Sequence, residues 1–213
     1  MIYKDLPSPA DADAIKSLRV VSPIGRAQWC KLFSPEDSFD VREGRKARGS
    51  VPQEYSTAIV FEEETDEVKD FLDYLKRIKD TYKPAYPNPW KTTDEGKPML
   101  QLKCKAERPT KGGQMIPWRP MLFSNETKAV VAGEDPAAFQ DPGYGIGNNS
   151  LIQVKFRCWP HDMQGGGIST ILVAAVIHRL EKYIPENPLD GFDLGGIEID
   201  GVVDITPGQE TPF

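Results

Sequence analysis

Residues 154–159 read Val-Lys-Phe-Arg-Cys-Trp. Side chains alternate faces along a strand, so Val154, Phe156 and Cys158 share one face and Lys155, Arg157 and Trp159 share the other. The apolar trio belongs to a core. The second face then carries two cations beside an indole. Residues 100–106 repeat the arrangement: Leu100, Leu102, Cys104 and Ala106 point in, while Lys103 and Lys105 point out beside Gln101. In residues 28–33, Gln28, Cys30 and Leu32 alternate with Trp29, Lys31 and Phe33, and here the buried set is open, since Trp29 and Phe33 suit a core equally well. With Cys30 and Leu32 inside, three strands present cations or aromatics outward. The glycine-containing loop 40–49 adds Arg42, Arg45, Lys46 and Arg48.

Cations and aromatic faces together suit an unpaired nucleic-acid strand. Cations neutralise phosphates and release counterions. Aromatic faces stack bases at ~1–3 kcal/mol each, with little sequence preference. A lysine on a strand exterior is ordinarily just solvated; the repetition over several strands and a basic loop is what lends weight to a groove. Trp90 and Trp118, each beside a proline and a cation, suit core or barrel-capping roles better than stacking.

Catalysis finds little support. His161 and His178 are the only histidines. Cys158 and His161 are three apart but lack two further ligands at metal-like spacing, which argues against zinc. Gly143, Gly145 and Gly147 match neither the dinucleotide fingerprint nor the P-loop. The pairs Asp94-Glu95 and Glu134-Asp135 read as solvated loop acids. No cofactor is expected.

Charge is unevenly spread. The chain of 213 residues carries a net charge of −6, yet residues 16–128 hold 21 Lys/Arg against 17 Asp/Glu, so a basic groove is compatible with an acidic total. Residues 184–213 contain seven acids and no Lys or Arg, and stop at Pro212-Phe213. No apolar run approaches the ~18 residues of a membrane span. Three widely spaced cysteines argue against a disulfide framework and for a reducing compartment.

The elements that must position these residues are short, as 19 prolines and 18 glycines require. Strands are expected over 25–34, 55–61, 99–108, 118–123, 129–132 and 150–159, with a turn at 111–114. Residues 66–82 form the clearest helix: Thr65 caps it, acids fill its first turn, and Val68, Phe71, Leu72, Leu75, Ile78 and Tyr82 share one face. Residues 168–183 fit strand or helix; the glycine turn 165–167 between two apolar runs favours a hairpin strand. Residues 1–22 are short on order signals, apart from a helical turn or two over 10–18. The expected fold is mainly β with one inserted α-helix, a five-stranded barrel of the oligonucleotide-binding type with flexible termini.

Four stretches carry a resemblance: Ser56–Tyr82, Lys97–Ala106, Gly147–Trp159 and the hairpin Gly165–Leu180. In order and spacing the chain resembles the single-stranded DNA-binding proteins of tailed bacteriophages, which combine one oligonucleotide-binding fold with an acidic tail. The resemblance implies a flexible segment 1–22, a binding domain 23–183 and a tail 184–213. It implies sequence-independent binding of single-stranded DNA in replication, recombination or repair, in the cytoplasm of an infected bacterial host, as a monomer or homodimer and without catalysis. The best groove residues are Lys103, Lys105, Lys155, Arg157 and Trp159, followed by Trp29, Lys31, Arg42, Arg45, Lys46 and Arg48. The tail would contact the phage DNA polymerase and helicase-primase through Pro212 and Phe213. It departs from the family in being only moderately acidic and broken by apolar stretches, so part of 184–205 is expected to dock on the body. The rival readings are a virion β-barrel module without nucleic-acid affinity, and a nuclease accessory, which would need clustered metal-binding carboxylates.

Overall fold

The computed structural model describes residues 3, 6–8, 11–82, 88–161 and 167–184. These contain three α-helices: α1 (Ala12–Ser17), α2 (Phe39–Arg42) and α3 (Asp66–Tyr82). The first long strands are β2 (Gly25–Glu36) and β3 (Glu54–Val60), preceded by the two-residue β1 (Val20–Val21). The short β4 (Lys91–Thr92) leads into β5 (Pro98–Lys105). A small ribbon, β6 (Glu107–Pro109) with β7 (Met115–Pro117), turns at 110–114 as expected. Then come β8 (Met121–Ser124), β9 (Ala129–Ala132) and β10 (Gly145–Ile146). The chain closes on β11 (Leu151–His161), β12 (Gly167–Arg179) and β13 (Lys182–Tyr183).

The main sheet runs β11-β2-β3-β5-β12, and β12 pairs back on β11, closing a five-stranded barrel. β12 also carries β8 as a parallel neighbour, with β9 outside it. The ambiguous segment 168–183 is therefore mostly strand: its β-branched residues pair with β11 from Leu151↔Arg179 to His161↔Gly167. Barrel closure needs β2 to approach two neighbours at once. Gly25 makes that possible, because a Cβ there would collide with the Ile59 side chain and the Val60 carbonyl.

In sequence, α3 follows β3 and precedes β4. Thr65 Oγ1 accepts from the Val68 amide at 3.3 Å, the cap expected from the sequence. Val68, Phe71, Leu75 and Ile78 are buried as the periodicity predicts, and Tyr74 joins them. Phe71 sits at the aromatic centre of the core, 5.2 Å from Tyr3, 5.7 Å from Phe61 and 6.1 Å from Phe156 between ring centroids. Each such ring buries a large apolar area and gains ~0.5–1.5 kcal/mol from the tilted or edge-on contact.

The helical turn expected over 10–18 is α1, and the N-terminal segment adds a strand that the sequence reading did not expect: residues 12–21 form α1 and β1, and β1 pairs with β11. Tyr3, Ile15 and Val20 are buried in the core. The Tyr3 hydroxyl donates to the Val21 carbonyl at 2.8 Å, and Asp11 caps α1 by accepting from the Ala14 amide at 2.9 Å. The segment is ordered by long-range burial, which leaves no trace in local composition. The glycine turn 165–166 and the tail 185–213, with Pro212 and Phe213, lie outside the described residues.

Candidate nucleic-acid interface

One face of the barrel holds a cleft of about 1630 Å³, floored by β3, β5 and β12 and walled by β2, α2, the β6–β7 ribbon and residues next to β1. Ser56, Thr57, Gln101, Ser169 and Thr170 line its floor beside apolar residues such as Ile168 and Ile171. Strand alternation puts them there. In β5, Leu100, Leu102 and Cys104 are buried while Gln101, Lys103 and Lys105 are exposed, as the sequence predicts.

The wall on β2 depends on an irregularity. Pairing with β3 runs from Arg26↔Val60 to Gln28↔Ala58, then resumes shifted at Lys31↔Ser56. Trp29 sits in the gap with φ +48°, in the left-handed region, and is 55% exposed. A bulge residue of this kind turns the strand by one position. Strict alternation from the buried Gly25 and Ala27 would have driven Trp29 inward; the bulge turns it out and leaves Cys30 and Leu32 inside. Asn148, from the loop before β11, fixes the bulge by accepting from the Trp29 amide at 3.0 Å. Phe33, which the alternation grouped with Trp29, is buried against Phe139 and Tyr144.

A buried cation holds the next part of β2. Arg119 is 1% exposed, donates to the Leu32 carbonyl at 2.9 Å and stacks on Phe139 with 3.6 Å from guanidinium to ring centroid. The same nitrogen reaches the Phe33 carbonyl at 3.4 Å, and both carbonyls fall in the stretch 32–35, where β2 has no partner on β3. Burial pushes the Arg119 pKa down from its ordinary value, opposed by the Tyr55 and Asp141 charges.

The expected groove residues divide into two groups. Trp29, Lys31, Arg42, Lys103, Lys105 and Arg157 line the cleft together. Arg45, Lys46, Arg48, Lys155 and Trp159 do not. Arg45 and Lys46 turn back onto Asp40 at 3.9 and 3.4 Å, and Arg48 onto Asp37 at 3.1 Å. Lys155 lies on the stretch of β11 that pairs with β1. Trp159 is 42% exposed, beside α1, with Lys16 Nζ 5.9 Å from its ring centroid. Trp118 lines the cleft but is buried, and Trp90 packs partly buried against the core, both as expected. Three contributors were missed. Arg19 belongs to the segment short on order signals, and Arg108 lies on β6, where no outward alternation was read. Phe39, 50% exposed on α2 with the Arg45 guanidinium 5.1 Å from its ring centroid, sits in an acidic stretch without strand alternation.

Seven cations and five carboxylates line the cleft, a local excess of two positive charges in a chain of net charge −6. Four cations are already engaged. Glu36 takes Lys31 at 2.8 Å and Arg42 at 3.4 Å; Glu54 takes Lys103 at 3.1 Å; Glu134 takes Arg108 at 3.1 Å. Arg19, Lys105 and Arg157 have no carboxylate within ion-pair distance among the described residues. No group of three or more His, Cys, Asp or Glu side chains among the described residues is placed to hold a metal ion. No helix among them is long and apolar enough to cross a membrane.

No protein-family model matches the chain, and no curated protein matches it by sequence. Solved structures do. The fold is similar to gp2.5, a single-stranded DNA-binding protein of bacteriophage T7, with a TM-score of 0.58 and 15% identity over 79% of this chain and 98% of that one. It is also similar to the single-stranded DNA-binding protein of bacteriophage Enc34 in complex with single-stranded DNA, with a TM-score of 0.51 and 15% identity over 80% and 91%. The same Enc34 protein without DNA gives a TM-score of 0.50 and 17% identity over 82% and 88%. The chain has the fold of these phage single-stranded DNA-binding proteins, a closed oligonucleotide-binding barrel.

Proposed function

We propose that the chain binds single-stranded DNA without sequence preference, in the cleft across β2, β3, β5 and β12, and serves phage DNA replication and recombination without catalysing a reaction. The observation that carries this reading is the bulge that turns the Trp29 indole out beside a cleft with excess positive charge. Trp29 and Phe39 stack bases. Lys31, Arg42, Lys103, Lys105 and Arg157 face phosphates. Arg45, Lys46 and Arg48, tied to their own acids, guide the strand from a distance, and Lys155 and Trp159 extend its track beyond the cleft.

Titration with oligo-dT at low salt should quench tryptophan fluorescence. Phosphates meeting only the three unengaged cations release few counterions, giving a log–log salt slope of about −2; all seven would give about −5. Absence of binding at low salt, with a large stable assembly on a sizing column, would instead favour a structural module.

Residues 184–213 then serve as a partner-binding tail, with Pro212 and Phe213 at its tip and the phage DNA polymerase or helicase-primase as the partner. Deleting the last eight residues should abolish partner binding and leave DNA affinity nearly unchanged. A large rise in DNA affinity would mean that the tip competes for the cleft.

A further inference from the structure

Arg19 and Arg157 stand in an arrangement that the fold alone does not favour. The antiparallel register pairs Val20 with Phe156 and Val21 with Lys155. Arg19, one residue before Val20, therefore falls opposite Arg157, one residue after Phe156. Like charges directly opposite each other on neighbouring strands are destabilising. Both side chains line the cleft, and neither has a carboxylate partner among the described residues. Arg19 is braced by its Nη1, which donates to the Ser17 carbonyl at the end of α1 at 2.8 Å. The Arg157 Nε is buried and has no hydrogen-bond acceptor. A buried guanidinium nitrogen without an acceptor costs free energy, so the protein does little to satisfy this fork, and its outer nitrogens face the cleft. Burial, and after it the Arg19 charge, hold the Arg157 pKa below its ordinary value.

We infer that Arg19 and Arg157 form a phosphate seat at the β1–β11 side of the cleft, holding one phosphodiester of the bound strand between two guanidinium groups. A phosphate oxygen accepts from the outer nitrogens of both forks and cancels their repulsion. Guanidinium suits this task because its fixed fork matches phosphate oxygens two at a time. The seat, like Lys105, has no protein carboxylate to displace, and it alone sets two such cations opposite each other, so it is the position a strand occupies first. The inference rests on the single-strand reading above and adds to it where the backbone is anchored.

The test compares wild-type full chain with Arg19→Ala and Arg157→Lys in oligo-dT titrations across a salt series, with Lys76→Ala on α3 as a control for generic loss of charge. Arg19→Ala should bind roughly tenfold more weakly and lower the salt slope by about 0.7, one single-strand phosphate's worth. Arg157→Lys keeps the charge but loses the fork, so it should weaken binding with the slope retained. Without DNA, Arg19→Ala should melt no lower than wild type, because it removes a repulsion. A wild-type slope and affinity in Arg19→Ala, or a loss no larger than that of Lys76→Ala, overturns the seat while leaving the single-strand reading intact. If wild type binds no oligo-dT, that reading fails, and the seat is judged by melting with inorganic phosphate. Phosphate should then raise the wild-type Tm more than that of Arg19→Ala, and equal shifts overturn it.

Discussion

Trp29 shows how much a single residue can be asked to do. A non-glycine residue in the left-handed region gives up roughly 1–2 kcal/mol relative to its usual conformations. Here the strain is compensated by the burial of Cys30 and Leu32 just after the turn-out and by the Asn148 clasp. Function and stability should therefore separate at this position. Trp29→Gly removes the strain and the indole together, so its Tm should equal or exceed that of wild type. Its affinity for oligo-dT should fall about 5- to 100-fold, the equivalent of one lost stacking contact. A parallel loss of stability would show that the indole is a packing residue. Asn148→Ala should give a milder version of the binding loss, because it loosens the bulge without removing the ring.

At the scale of elements, α2 and the end of β2 form a wall whose cations are held by its own acids. Glu36 alone engages Lys31 and Arg42. A phosphate approaching those two must first displace that carboxylate, so Glu36 acts against binding. Glu36→Gln should raise oligo-dT affinity and steepen the salt slope, the opposite of what losing a cation does; an unchanged slope would remove Lys31 and Arg42 from the strand's path. The pairing explains what could be read in advance and what could not. Alternation in β5 and β11 placed Lys103, Lys105 and Arg157 on the outer face, and periodicity set the bounds of α3, because each depends on neighbours in the chain. The place of Trp159 beside α1, the Arg45, Lys46 and Arg48 contacts with Asp40 and Asp37, and the docking of residues 12–21 all depend on which distant strands pair. Local patterns carry no record of that.

At the scale of the whole molecule, burial sets a pH window. The thiols of Cys30, Cys104 and Cys158 are each pushed up to about 12, chiefly by burial, and so is the Tyr74 phenol. In the unfolded chain a thiol loses its proton near about pH 8.5. Above that value the unfolded state binds fewer protons than the folded one, so stability falls as pH rises, and the fall ends near pH 12. Thermal melts should show Tm declining steadily between about pH 9 and 12. Cys158→Ala should flatten the decline; an equally steep one would place its cause elsewhere.

The pairing of β12 with three strands has a consequence for the order in which this chain can acquire structure. It pairs with β11, β5 and β8, strands that begin as early as residue 98, and β1 waits on β11 in turn. A chain emerging from the ribosome thus holds β2, β3 and β5 as an open sheet until residues past 170 have cleared the exit tunnel. Contacts this distant in sequence make folding slow. During synthesis, the exposed sheet edges become the molecule's main aggregation hazard.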